Sequence, residues 1–372
     1  PFFRRPDLLQ SMVTYAQHHP SLSYFFSGLF VGPTSQAPRP DETRHEKLYE
    51  LEIAFSLLNK IKEERDYAAL DRLLRNLLTD SDGNTHKAEI CIDKLYARES
   101  PSGRQGIVEL RSFEMMPHAH MCLLEMLLVR ALVSMHWQIP YKKRLIRWGT
   151  LLHDKFMLPY FLWNDFCEVL KDLKSVGYDF KEEWYLPFLQ FRFPSYGKTR
   201  IENMDIELSM ALEPWHALHE DGAHRQSRTV DNSTERVQIL VKNLTPSRYI
   251  ITCNERRIPL HRTDVESHYI AGIRFKARNL KLALHPSLPL NTPLVFDVYD
   301  TWHMRSIGGF SYYSEHPGGT TYEQSPINAM EAESRVISRF VKHGYNPHME
   351  YPKTEEINGE YPYTLDLRRT NF

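Results

Sequence analysis

The sequence predicts an α+β chain of 372 residues, and three observations carry that prediction. Leucine-rich segments with helical spacing, such as "AALDRLLRNLLTD", share residues 1–204 with short runs that alternate polar and apolar positions. From about residue 205 the texture changes to short alternating runs separated by turn signals, the pattern of an antiparallel β-sandwich. An amphipathic helix and a Tyr- and Pro-rich tail then close the chain. The expected division is 1–204, 205–320 and 321–372.

Taken in order, Asp7 is placed to cap a helix through Leu8, Leu9, Met12, Val13 and Ala16 that ends before "HHP". "SLSYFFSGLFVGPTSQAPRPDETRHE" has no periodicity, and a loop of that length is more often functional than decorative. "KLYELEIAF" alternates and is predicted as a strand, followed by a helix carrying Leu70, Leu73, Leu74, Leu77 and Leu78. "HKAEICIDKLY" and "GIVELRSFE" are predicted as facing strands, joined by the turn residues of "ARESPSGRQ". Pro117 suits the first turn of a buried helix running to about Trp137, and Gly177 ends the helical segments that follow. The sandwich strands are "DIELSMAL", "ERVQILVKNL", "RYIITCNERRIPL", "HYIAGIRFKA", "PLVFDVYDTW" and "SIGGFSYYSEH". "INAMEAESRVISRFVKHG" is read as one last helix, stopped by Gly344.

Bulk composition narrows the function classes. Forty-six Lys plus Arg balance forty-seven Asp plus Glu, which argues against a general nucleic-acid or anionic-membrane binder. The four cysteines contain no CxxC pair, so neither a zinc ribbon nor a disulfide framework is expected, and a reducing cytoplasm suits them. The most apolar run, "MCLLEMLLVRALVSMHW", carries Glu125 and Arg130 and is read as a buried helix rather than a membrane span. The opening "PFFRRPDLLQ" lacks an initiator Met, which suggests a piece of a longer polypeptide.

Charge then becomes informative. Glu109 and Arg111 share one face of "GIVELRSFE"; Lys87, Glu89, Cys91 and Asp93 share one face of "HKAEICIDK"; Glu50 and Glu52 share one face of "YELEIAF". One such strand is ordinary in a half-wet sheet. Several carboxylates on one sheet face, however, repel unless cations compensate, and oxygen ligands favour Mg²⁺ or Mn²⁺. Other candidates have plainer readings: His118 and His120 as surface or capping residues, Cys91 as a small packing residue, and His216, His219 and His224 as a solvated loop. "DTWHMRSIGGFSYY" reads as a strand bulged at Gly308 and Gly309, or else as one wall of a ligand groove around Trp302, His303 and Arg305.

The segments "HPSLSYFFSGLFVGPTSQAPRPDE", "YELEIAF", "GNTHKAEICIDKLY", "GIVELRSFEMMPH", "LIRWGTLLHDKFMLP", "EPWH", "DTWHMRSIGGFSYYSEHPGG" and "YTLDLRR" resemble, in that order, the C-terminal part of a bacterial amidoligase family. Its members often follow a transglutaminase-like domain, and the family is associated with a glutamine-synthetase-like catalytic fold. Within that likeness, "VELRSFEMMPH" is similar to a Glu-x-Arg strand leading into a Pro-started helix, "NTHKAEICI" to its polar hairpin partner, and "LFVGPTSQAPRP" to the aromatic segment ending in Ala-Pro. The earlier Glu-x-Glu strand and Gly-rich His segment are missing from residues 1–372, as is a GxxxxGK[ST] run.

The resemblance implies that residues 1–204 are the C-terminal part of a glutamine-synthetase-like domain, an antiparallel sheet backed by helices. It implies an ATP- and Mg²⁺- or Mn²⁺-dependent carboxylate–amine ligase working through an acyl phosphate, with most of the ATP site upstream and this chain alone catalytically incomplete. Glu109 would be a metal ligand, with Glu89, Glu50 and Glu52 as further metal candidates. Arg111 would contact the acyl substrate or transferred phosphate, and Arg39, Arg44, His86 and Lys87 are candidates for the phosphates or acyl carboxylate. A peptide or amino compound would be the substrate, the upstream polypeptide the partner, and an oligomer is compatible. The alternative is a non-catalytic module whose sandwich binds a peptide or glycan.

Overall fold

The computed structural model describes residues 2, 4–28, 30–33, 35–44, 46–58, 60, 67–96, 103–214, 232–279, 287–318, 322–351 and 357–369. The chain is α+β and divides into two compact units, Pro1–Phe191 with Pro214–Val230, and Arg192–Glu213 with Asp231–Phe372.

The first unit is built from helices, one short strand pair and irregular segments. In chain order these are α1 (Pro6–His18), α2 (Ser21–Tyr24), α3 (Pro40–Thr43), α4 (Lys47–Leu58), α5 (Tyr67–Leu74), β1 (Ile90–Cys91), α6 (Asp93–Tyr96), β2 (Glu109–Leu110), α7 (Ala119–Gln138), α8 (Leu151–Asp154), α9 (Pro159–Ser175) and α10 (Leu186–Arg192). Pro6, not Asp7, stands at the start of α1, and the Asp7 carboxylate accepts from Arg5. In α9 the buried Leu162, Phe166, Leu170 and Leu173 follow helical spacing. Its end is a Schellman turn: Tyr178 N–H reaches Leu173 O at 3.0 Å and Gly177 N–H reaches Lys174 O at 3.0 Å, with Gly177 at φ +94° as the left-handed geometry requires.

Three expectations for this unit are corrected. "KLYELEIAF" is a helix, α4, because its large apolar residues Leu48, Leu51, Phe55 and Leu58 recur every three or four positions and all are buried. Glu50 and Glu52 therefore leave it in different directions and share no face. Pro117 lies outside the helix it was expected to start; His118 caps α7, its side chain accepting from His120 N–H at 3.2 Å. Nor is α7 buried all round. Met121, Glu125, Leu128, Leu132 and Met135 form its inward face, and the helix packs against α1 and α9, while Leu123 and Met126 are 60% and 61% exposed. By length and composition α7 is also apolar enough to cross a membrane.

In the second unit the predicted strands are found: β4 (Met204–Ala211), β5 (Thr234–Lys242), β6 (Tyr249–Cys253), β7 (Arg256–Arg257), β9 (His268–Lys276), β10 (Leu294–Asp300) and β11 (Arg305–Tyr312). Four more were not anticipated: β3 (Ser195–Ile201), β8 (His261–Arg262), β12 (Phe340–His343) and β13 (Thr364–Asp366). One sheet runs β12-β11-β10-β6-β7 and the other β13-β9-β5-β4-β3, with β8 added beside β9. Both sheets contribute to one apolar cluster, in which Val237, Ile239, Ile273, Phe296, Val298 and Phe310 are fully buried. The last predicted helix is shorter than expected: α11 (Ala329–Ile337) stops, the chain turns into β12, and Gly344 follows a strand instead of capping a helix. The tail also joins a sheet, since β13 pairs parallel to β9. The bulge falls where β10 meets β11: the register slips as Val298 pairs Gly308 and Tyr299 pairs Ser306. Gly309 is required there, because a Cβ would stand 2.0 Å from Phe296 O.

Candidate functional site

The β1–β2 pair lies inside the first unit and is shorter than its sequence suggests. Only Ile90↔Leu110 and Cys91↔Glu109 are in register, antiparallel, and Arg111 N–H extends the pairing to Glu89 O at 2.8 Å. The approach to β1 is shaped by a polar turn. Asp80 Oδ1 accepts from Asp82 N and Asn84 N at 3.0 and 2.8 Å, and Asn84 Oδ1 accepts from His86 N at 3.0 Å, capping a short 3₁₀ turn, Thr85–Lys87. After β1, Asp93 opens α6. Thr85 Oγ1 donates to Asp93 Oδ2 at 2.6 Å, drawing the turn and α6 together.

On the outer side of this pair Glu109 is held by two cations. Lys94 Nζ donates to Glu109 Oε1, and Arg111 Nη1 stands 3.5 Å from Oε2. The Lys94 contact holds the Glu109 carboxyl below its ordinary range, helped by Arg111 and His86. His86 is exposed and stands 3.4 Å from Asp93, and Lys87, half-buried, ends the same turn. Cys91 Sγ, a His86 ring nitrogen and an Asp93 oxygen lie within 4.8 Å of one another. Burial raises the Cys91 thiol pKa.

Glu89 belongs elsewhere. It is buried, accepts from Ser23 Oγ, and lines a cavity of about 30 Å³ with Ile90, Leu110, Ser112, Tyr15 and Leu132. Burial lifts its carboxyl to about 7, against the opposing pull of Arg39. Arg39 is itself 1% exposed, and all five of its N–H groups are engaged. Nε and one Nη2–H grip Asp41 at 2.9 and 3.0 Å, the other Nη2–H reaches Gln17 O at 3.0 Å, and Nη1 reaches Ala16 O at 3.1 Å and Ser23 Oγ at 2.7 Å. This network pins the last turn of α1, α2 and the start of α3 to Glu89, the residue before β1, and it leaves Arg39 no donor for a ligand.

The sequence-predicted residues thus separate. Glu109, Arg111 and His86 are brought together with Lys87 nearby, whereas Glu89 and Arg39 form the buried network. Arg44 pairs with Glu50 at the surface, and Glu52 accepts from Leu145 N at 3.2 Å. Because Glu50 and Glu52 share no strand and Glu89 faces the cavity, the expected single carboxylate face does not form. Among the described residues, Glu109, Glu89, Glu50 and Glu52 contribute to no group of three convergent ligand atoms. These four carboxylates, as placed, therefore do not fit an all-carboxylate Mg²⁺ or Mn²⁺ site. His216, His219 and His224 lie outside the described residues. Lys94 and Asp41 were missed: Lys94 sits on a one-turn helix where strand alternation says nothing of its direction, and the Arg-x-Asp spacing of "RPD" was the available signal for Asp41.

With this geometry in view, comparison with known families is decisive. The model of a family described as "Putative amidoligase enzyme (DUF2126)" matches residues 1–368. The chain belongs to this family. No curated protein and no solved structure matches it. Within the family's span lie both the β1–β2 pair and the two sheets of the second unit.

Proposed function

We propose that the chain is the C-terminal portion of an ATP-dependent carboxylate–amine ligase, and that the outer side of the β1–β2 pair forms part of its site. The observation that supports this most directly is Glu109 ionised between Lys94 and Arg111 at an accessible edge, in a chain of the amidoligase family. Amide formation in water requires an activated acid. The substrate carboxylate oxygen attacks the γ-phosphorus of ATP, giving an acyl phosphate and ADP; the amine then attacks the acyl carbon, inorganic phosphate leaves, and the nitrogen gives up a proton. Arg111 suits the acyl carboxylate or phosphate because its planar fork engages two oxygens, and Lys94 adds a second positive charge. Glu109 orients both and offers the negative charge that an incoming ammonium would meet. Any Mg²⁺ would arrive with ATP, since the four carboxylates do not assemble a resident site. The first unit would carry the glutamine-synthetase-like sheet edge, the second a β-sandwich, and the cytoplasm would supply ATP.

The test supplies ATP, Mg²⁺, hydroxylamine as the amine and a panel of amino acids and short peptides, and follows ADP and hydroxamate. Polypeptide extended upstream should turn over while residues 1–372 alone should not. Arg111→Ala should lower the rate about 100-fold or more. No ATP-coupled hydroxamate from the extended polypeptide with any acid would sink the reading. A second reading, ligand binding by the second unit, is favoured by Trp302, 67% exposed and stacked under the Arg248 guanidinium at 4.7 Å, which Asp300 holds in place.

A further inference from the structure

Beside the Glu109 cluster stand three side chains that the ligase chemistry does not use. Cys91 is 2% exposed and comes from β1, Asp93 opens α6, and His86 comes from the preceding 3₁₀ turn. Their ligand atoms lie within 4.8 Å of one another. We propose that His86, Cys91 and Asp93 bind a borderline-soft divalent ion of the zinc class. The reading goes beyond the ligase proposal and does not rest on it.

The donor set selects the ion. One thiolate, one imidazole and one carboxylate are zinc-type ligands, whereas Mg²⁺ takes oxygen donors and keeps its waters. Tetrahedral zinc with bonds of about 2.0–2.3 Å sets its ligands roughly 3.3–3.8 Å apart, so the observed spacing needs a closing movement of about 1 Å. His86 Nδ1 already stands 3.4 Å from Asp93 Oδ2, and its exposed side chain is the freest of the three to follow the ion. The support around the ligands is already built. Thr85 Oγ1 donates to Asp93, the Asn84 cap orients the His86 backbone, and the Asp93 N–H lies against the Cys91 sulfur. Binding replaces the S–H bond by a metal–sulfur bond and releases that proton to solvent. Cys91⁻ and Asp93⁻ then balance the ion's two charges. Three protein ligands leave a fourth position for water or an exogenous donor. The ion would tie turn, strand and helix together directly behind Glu109.

The test is titration of the intact chain with Co²⁺ alone, read by the thiolate-to-cobalt charge-transfer band and the d–d bands of a four-coordinate ion. One equivalent is expected, displaced by equimolar Zn²⁺ and indifferent to excess Mg²⁺. Cys91→Ala should abolish the charge-transfer band, and His86→Ala and Asp93→Asn should each weaken binding at least about 10-fold. His86→Ala alters an exposed side chain, so it keeps the test decisive if Cys91→Ala does not fold. Absence of the band in the unaltered chain, its persistence in both Cys91→Ala and His86→Ala, or displacement by Mg²⁺ would each overturn the proposal. The readout is spectroscopic, so failure here leaves the ligase reading standing, and failure of the hydroxamate assay leaves this one standing.

Discussion

The two units hold their chains in place by different means. In the second unit the backbone does it: β4, β5 and β9 pair over long continuous registers, and the apolar side chains of both sheets fill one cluster. Among the described residues of the first unit, strand pairing covers two residues a side, and irregular segments are held by side chains that bond to backbone. Gln17 both donates to Ile146 O and accepts from Ile146 N, Trp148 Nε1 donates to Gln17 O, Ser11 Oγ accepts from Tyr141 N, and Lys47 Nζ reaches Thr79 O and Asp80 O. A ladder survives the loss of most single side chains because its bonds belong to the main chain. A side-chain staple does not, since its removal strands the backbone groups it satisfied. The candidate site therefore sits in the unit more sensitive to single substitutions.

The largest expected effect follows from removing the busiest staple. Arg39→Ala deletes five hydrogen bonds and leaves the buried Asp41 carboxylate with Gln17 Nε2 but without its guanidinium, so it should cost about 3–5 kcal/mol. Lys198→Ala, on the exposed face of β3 in the other unit, should stay within about 0.5 kcal/mol. Urea unfolding with hydrogen exchange on α1, α2 and β1 makes the measurement. A cost below about 1 kcal/mol for Arg39→Ala would erase the contrast between the units.

The same contrast explains what was legible in the sequence. Period-two burial produced "ERVQILVKNL" and "HYIAGIRFKA" as strands because Val237, Ile239 and Val241, and Ile273 and Phe275, alternate toward a core. The α9 helix and its Gly177 end were legible for the same reason, local chemistry agreeing with local structure. The pairing of "HKAEICIDKLY" with "GIVELRSFE" and the closeness of Glu109 and Arg111 were legible too. "YELEIAF" misled because a few alternating residues suit both periods, and burial of Leu48, Leu51, Phe55 and Leu58 by distant segments decides between them. Strands β12 and β13 were hidden since edge strands need little apolar alternation. No spacing rule announces that Arg39 and Glu89, fifty residues apart, meet through Ser23, so the separation of buried network from accessible site had to come from the fold.

A smaller effect sharpens the comparison through pH. The Glu89 carboxyl is raised from 4.5 to about 7 by burial, so the folded chain holds a proton there that the unfolded chain has released. Its contribution to stability is undiminished below pH 4.5, falls as pH rises through that window and is lost above about 7, on the order of 3 kcal/mol in all. Buried His136 works the other way. Burial lowers it from 6.5 to about 4, so stability is lost as pH falls from 6.5 toward 4. Glu89→Gln, which keeps an oxygen for Ser23, should match the unaltered chain near pH 4 and exceed it by up to about 3 kcal/mol at pH 8. The melting midpoint of both proteins across that range is the measurement, and a difference independent of pH would contradict a buried, proton-holding Glu89.

The smallest expected effect on stability tests whether Glu109 belongs to the site rather than to the scaffold. Lys94 is exposed on α6, and its Nζ bonds the Glu109 carboxylate, a side chain and not a backbone group. Lys94→Ala should leave the unfolding midpoint unmoved, because an accessible ion pair trades one hydrated state for another. The Glu109 carboxyl, freed of its nearest cation, should titrate closer to its ordinary value of 4.5, as followed by carboxyl-carbon NMR. Arg111 then remains as its companion at 3.5 Å, so the return should be partial, and Arg111→Ala combined with Lys94→Ala should carry it further, with His86 left as the remaining lowering neighbour. A clear loss of stability from Lys94→Ala would make this pair one more staple of the first unit. An unmoved midpoint with a risen carboxyl pKa would show a charge cluster maintained at the surface without structural need, which is what a substrate-facing group requires.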